Sequence, residues 1–237
     1  MVSLDFSESR NITDSIEVLG LASCGFGVFV MAVHWIMVWT IPQFRLLKHN
    51  DRIYSAKNMA KSIALAAYIP LAVDILCEFV FTDKIDGSRV RVAGTLYACT
   101  DIAGLFLVSN HSKTTVFHHI TVATLSLYNL THTIDGIWLG FVIYGSLSTF
   151  TFIVNTTLSL RHFVPVQWLG NMCTVSFVIY ASSCLVNWVC QLFIIRTRFT
   201  FETGGVVFIT LLTAIIIDDV VLMRWLLKIA SGYYGIC

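Results

Sequence analysis

The residues of this chain best suited to chemistry are His118 and His119, adjacent imidazoles at the head of an apolar run that continues to about Leu130. A neutral imidazole can accept a proton from an amine or hydroxyl, or take an acyl group itself. Inside hydrocarbon it is costly unless it meets a cavity or a partner. Other polar residues interrupt other apolar runs: Asp74 and Glu78, four apart on one helical face, then Asp101, Asn155, Asn187, and Asp218 with Asp219. Gathered round a cavity they would make a site. Taken singly they would be interhelical hydrogen-bond partners, the common use of such residues in membrane bundles. Adjacent helical residues project about 100° apart, so both imidazoles cannot point straight into one cavity. His118 shares a face with Val122, Leu125 and Asn129, and His119 with Ala123 and Ser126. One imidazole can then do chemistry while its neighbour packs or is oriented through a carboxylate.

The elements that must position these side chains follow from composition. Hydrophobic residues make up 57% of the 237, charged residues 12%, and the mean hydropathy is +0.79, which is the profile of an integral membrane protein. A net charge of +1 leaves no basic field for nucleic acid. Crossing about 30 Å of hydrocarbon takes roughly 20 helical residues. Seven runs qualify, at 16–41, 59–81, 91–110, 114–131, 134–160, 168–195 and 204–227. They are far too long for barrel strands, so the expected fold is all-α. The fourth and fifth runs are separated only by 131–134, and a six-helix reading with a re-entrant pair stands beside the seven-helix one. The expected organisation is a polar tail (1–15), a first span (16–41), a membrane domain (51–230) and a short C-terminal tail (231–237). Arg45, Lys48, Arg52, Lys57, Lys113, Arg161, Arg224 and Lys228 outnumber Arg10, Lys84, Arg89, Arg91, Arg196 and Arg198 on the opposite side. That bias predicts a lumenal or extracellular N-terminus and a cytosolic C-terminus. The seven cysteines form no C-x-x-C pair, and six lie in apolar runs, so neither a disulfide framework nor a metal site is expected. The acidic N-terminus lacks the features of a cleaved signal peptide.

Four stretches carry a family resemblance. They are Asp51-Arg52-Ile53-Tyr54-Ser55, Thr100-Asp101-Ile102 followed by His118-His119, Gly145 to Phe150 followed by Asn155 and Arg161, and the closing Asp218 to Ile229. In order and spacing they resemble the TLC domain of translocation-associated membrane proteins, ceramide synthases, the protein behind one neuronal ceroid lipofuscinosis and the TLC-domain-containing proteins, the last being most similar. The resemblance covers about 51 to 230. It implies six core helices around a lipid-sized cavity, with an extra N-terminal helix, in the endoplasmic reticulum or the plasma membrane. It also implies a membrane lipid as partner and, if the protein is an enzyme, acyl-CoA as co-substrate with no permanently bound cofactor. His118 and His119 take the place of the paired histidines that serve acyl transfer in ceramide synthases. Where those enzymes carry a further His-Asp and another Asp, this chain has Gly145, Ser146 and Thr149; the TLC-domain-containing branch often has Glu at the place of Ser146. Asn58 stands where a His is common. Asp101 is then the remaining candidate to orient an imidazole. The expected catalytic residues are His118, His119 and Asp101, and the expected cavity lining includes Asn129, Ser146, Asn155, Asp218 and Asp74. Oligomeric state is left open, a homodimer included.

Other histidine-bearing and seven-helix classes fit less well. Fatty-acid elongases require H-x-x-H-H, and Thr115 occupies the first place; di-iron desaturases need about eight clustered histidines against seven scattered ones here. A retinal protein needs a lysine in the middle of the last helix, where this chain has Asp218 and Asp219. Three expectations remain: a lipid-handling protein that influences membrane lipid composition, an acyl-CoA-dependent acyltransferase using His118 or His119, and a transporter lined by Asp74, Glu78, Asp101 and Asp218.

Overall fold

The computed structural model describes residues 11–82, 86–109, 113–132 and 136–233. Arg10, Lys84, His111 and most of the two expected tails lie outside the described residues. The described chain is helical: α1 (Ile12–Thr40), α2 (Pro42–Arg45), α3 (His49–Thr82), α4 (Gly87–Leu107), α5 (Lys113–Thr131), α6 (Leu139–Ser148), α7 (Phe152–Leu160), α8 (Val166–Arg198) and α9 (Thr203–Tyr233). Single 3-10 turns at Gly136–Trp138 and Thr149–Thr151 precede α6 and join it to α7.

Local chemistry sets several boundaries. Asn11 caps α1 by accepting the Asp14 backbone N–H at 2.9 Å. Helix α1 stops at Thr40 because Ile41 adopts the extended backbone favoured before proline, and Pro42 then opens α2. Asp86 caps α4 through the Ser88 backbone N–H at 2.9 Å, a bond that also holds its carboxyl below the usual carboxylate range. Between α6 and α7, Thr149 and Thr151 turn their hydroxyls onto the carbonyls of Ser146 and Ser148, diverting the regular helical ladder.

Among the described residues, six helices are long and apolar enough to cross a membrane: Ile12–Thr40, His49–Thr82, Gly87–Leu107, Gly136–Leu160, Val166–Arg198 and Thr203–Gly232. The chain is therefore an integral membrane protein by length and composition. Helix α5, the fourth of the seven expected spans, has 19 residues but is not among the six. Lys113, two histidines, Asn129 and five threonines within it dilute its apolar character. The helix that carries the second expected span is longer than that span, since α3 begins at His49 and not near 59. Ala56 and Ala60 are small enough to pack flat against Val30, Val33 and Ala103, so the helix continues through a stretch whose charges suggest a loop.

Helices α3, α4, α5, α9, α8 and the α6–α7 rod pack each on the next to close a ring, and α1 lies against α3, α4 and α5. Apolar clusters join α1 to α3 and α4, α6 to α8 and α9, and α7 to α8 and α9. Small polar side chains bond across the seams: Ser62 to the Phe152 carbonyl (2.9 Å), Ser159 to the Ser55 carbonyl (2.7 Å), and Gln191 Nε2 to the Gly140 carbonyl (2.8 Å). Such bonds hold helices together where lipid competes for apolar surface. At Gly140 the approach is close enough that a Cβ would lie 2.5 Å from Gln191 Oε1 and 2.7 Å from Phe208 Cζ. Gln191 and Phe208 are both buried. Overpacking of this kind costs about 1–3 kcal/mol, so Gly140→Ala is expected to lower the thermal midpoint by several degrees. Intrinsic tryptophan fluorescence of the detergent-solubilised protein checks this.

Candidate functional site

Asp101 is the centre of a buried ionic cluster. It lies on α4 with no exposed surface, and one of its oxygens, Oδ1, receives both the Lys61 ammonium from α3 and His119 Nδ1 from α5, the latter at 3.0 Å. A carboxylate with no exposed surface can be kept there because an ammonium and an imidazole converge on it. Lys61 Nζ also stands 5.5 Å from the centre of the Tyr97 ring, and Lys57, one turn earlier, 5.8 Å from that of Tyr54. Gly104 makes room beside them: a Cβ there would sit 3.3 Å from Lys57 Cδ and 3.9 Å from His119 Nε2.

His118 does something different from its neighbour. The two rings meet edge to face at 77°, with centres 5.6 Å apart. His119 is enclosed, whereas His118 is only partly covered and turns Nδ1 to Asp218 Oδ2 of α9 at 3.2 Å. The 100° separation of adjacent residues thus gives each imidazole its own carboxylate. With Nδ1 facing Asp218, Nε2 is the nitrogen of His118 left for a reacting proton.

Next to His118 an apolar cavity of about 100 Å³ extends among α3, α4, α5, α6 and α9. Val122, Leu125 and Asn129 line it, the face of α5 that the helical period assigns to His118, together with Tyr97, Tyr144 and Gly145. Asn129 and Ser146, both expected in the lining, are there, and Asn129 Nδ2 donates to the Val90 carbonyl at 3.0 Å. Asp218 lines a second hollow that adjoins the cavity at His118. Two expected lining residues do not join them. Asn155 is half-buried on α7 away from both hollows, and Asp74 is exposed on α3. A helix of 34 residues turns some positions outward at every level, and Asp74 falls on such a position. Glu78 stands 3.6 Å from Arg89, so the four acids expected along an ion path are spread over separate places.

Thr149 is buried and bonded to the Ser146 carbonyl, while Gly145 has no side chain and nothing lies within 4 Å of the point where a Cβ would stand. Carboxylates reach the two imidazoles from α4 and α9, through Asp101 and Asp218. Beside Asp218, Asp219 is buried and accepts two phenols, Tyr144 at 2.5 Å and Tyr180 at 2.6 Å. Lys57, Lys61, Tyr97, Tyr144 and Tyr180 were not among the expected site residues. The spacing of Lys57 and Lys61, one turn apart beside Ala56 and Ala60, is the signal that could have placed the lysines on a buried face.

Asp101, His118 and His119 offer ligand atoms within 4.8 Å of one another, a donor set of the kind that zinc accepts. The Lys61 ammonium, however, already occupies Asp101, with Lys57 close by, so a divalent cation would enter a place held by positive charge. The arrangement is that of an ion-paired anchor (Lys61, Asp101, His119) beside an accessible His118–Asp218 pair at the end of an apolar cavity. In comparisons with known proteins, no family model, no curated protein and no solved structure matches the chain.

Proposed function

We propose that this is a TLC-like membrane protein that holds the acyl chain of a membrane lipid inside its bundle and so influences membrane lipid composition. The observation that carries this reading is the pair of adjoining apolar hollows, about 100 and 430 Å³, that meet at a paired imidazole, since apolar walls with a few convergent polar groups are the usual form of a small-ligand site. In this reading α5 is the seventh crossing element, its polar residues turned to the bundle interior. The basic loops beside α2, α5 and α7 face the cytosol, the N-terminus is lumenal, and the endoplasmic reticulum is the expected membrane.

The test uses Gly145, which lines the cavity and has space where a side chain would grow. Gly145→Leu fills that space without a clash at Cβ and removes a helix-interior glycine, a change worth up to about 1 kcal/mol in favour of the helix. The variant is expected to fold as the native protein does and to lose at least about tenfold of the lipid that co-purifies, as read by mass spectrometry. Native-level lipid on a folded Gly145→Leu protein would sink the reading.

The His118–Asp218 pair favours a second reading, acyl transfer from acyl-CoA. In it His118 Nε2 takes the proton of an acceptor hydroxyl or amine as that atom attacks the thioester carbonyl. The C–S bond then breaks and the imidazolium returns the proton to the departing thiolate, with Asp218 stabilising the transient cation.

A further inference from the structure

Between α5 and α9 a hollow of about 430 Å³ runs alongside the cavity and shares His118 and Ile215 with it. The two helices touch along the shortest seam of the ring. Phe117 and Ile217 form its rim and are more than half exposed, at 52% and 56%, while Ala214 forms part of its wall. Lys113 marks one end, Thr121 and Ala214 the other, and His118 with Asp218 lie between them. Lys113 and His118 are five residues apart on α5, about 7.5 Å of helix. From His118 to Asn129, along the cavity, is a further eleven residues or about 16 Å, close to half of the roughly 30 Å hydrocarbon core and so to the depth of one leaflet's chain.

We propose that this groove is the lateral port by which a single-chain lipid with a phosphate headgroup passes between bilayer and cavity. Its phosphate rests on Lys113, its glycerol linkage lies beside His118 and its tail extends toward Asn129. This rests on the lipid-binding reading and adds to it the route, the leaflet and the headgroup. Charge argues for the orientation: Lys113 attracts a phosphate at the membrane surface, where Arg45, Lys48, Arg52 and Arg161 also lie at that end of the bundle. Asp218, farther along the groove, repels it, so the anionic group stays outside and the chain goes in. The spacing argues for the class, because a phosphate and an ester carried on one glycerol are separated by a distance of the same order as Lys113 and His118.

The test measures uptake and equilibrium binding of three fluorescent lipids with one chain, a lysophosphatidate, a free fatty acid and a monoacylglycerol, by the full chain in nanodiscs. Ala214→Trp is expected to slow uptake of all three by at least about tenfold while leaving equilibrium occupancy within about twofold, as for a blocked route to an intact site. Ile217→Trp, at an exposed position, is the second variant should Ala214→Trp fail to fold. Lys113→Glu is expected to weaken lysophosphatidate binding about tenfold, the order set by one surface charge reversed, and to leave monoacylglycerol unchanged. Native-rate uptake by a folded groove variant would overturn the port, though the lipid site tested by Gly145→Leu would stand. Equal loss for all three lipids in Lys113→Glu would overturn the headgroup contact. A fatty acid losing as much as lysophosphatidate would show that a bare carboxylate suffices, overturning the phosphate assignment.

Discussion

Asp101→Leu is expected to lower the midpoint of thermal unfolding by on the order of 10 °C. The substitution leaves the Lys61 ammonium and His119 without the carboxylate on which both converge, in a place where both are largely buried. Ordinary hydrogen bonds between membrane helices contribute only about 0.6 kcal/mol on average. An uncompensated buried charge costs about 3–5 kcal/mol, and that larger figure governs here because the partner left behind is an ammonium. For a chain of this size each kcal/mol moves the midpoint by about 2–4 °C. The double variant Lys61→Leu, Asp101→Leu removes both charges and is expected to recover most of the loss, since apolar residues of similar volume replace buried pairs at little cost. Tryptophan fluorescence during a temperature ramp measures all three proteins. An Asp101→Leu midpoint within about 2 °C of the native one would mean that the cluster is solvated and is no anchor.

On the acyl-transfer reading, His118→Ala is expected to lower labelling of lipid acceptors from radiolabelled acyl-CoA by about 10²–10⁴-fold, the usual contribution of a positioned acid–base group. Asp218→Asn is expected to lose a large part of the same rate while retaining bound lipid, because an amide leaves the shape intact but cannot stabilise an imidazolium. His119→Ala should act mainly through stability, as its ring serves Asp101 inside the bundle. The contrast between the two histidines is the informative part, since it follows from one partner being enclosed and the other lying beside the cavity. If His118→Ala leaves labelling at the native level, acyl transfer by this imidazole is ruled out and lipid holding stands alone. If His119→Ala removes labelling without altering the thermal midpoint, the roles of the two rings are reversed.

The helical membrane class was legible in the chain itself, because long apolar runs with few charges leave no other way to satisfy backbone groups in hydrocarbon. So was the 100° separation of His118 and His119, but which of them faces the cavity was not; Asp101, the expected orienting acid, lies 3.0 Å from His119. The face shared by His118, Val122, Leu125 and Asn129 follows from the helical period, and those residues do line one cavity. Sequence reasoning did less well wherever a polar residue had two possible settings. Lys57 reads as a loop charge but lies buried in α3, and Asp74 reads as lining but faces outward. Seven apolar runs suggest seven spans, yet α5 falls short of the apolarity of the other six because its polar residues serve the interior.

By itself, then, the sequence determined that the chain is helical, that it belongs in a membrane, and which residues of α5 share a face with each imidazole, since all three depend on local composition and a 3.6-residue period. Only the tertiary structure decided which acid meets which imidazole. Asp218 and Asp219 are neighbours on α9 with the same local pattern, but one turns to His118 and the other to Tyr144 and Tyr180. Lys61 reaches Asp101 across forty residues of chain. Such partners are chosen by how the helices are rotated against one another, and that rotation is a property of the packed ring and not of any one of its segments.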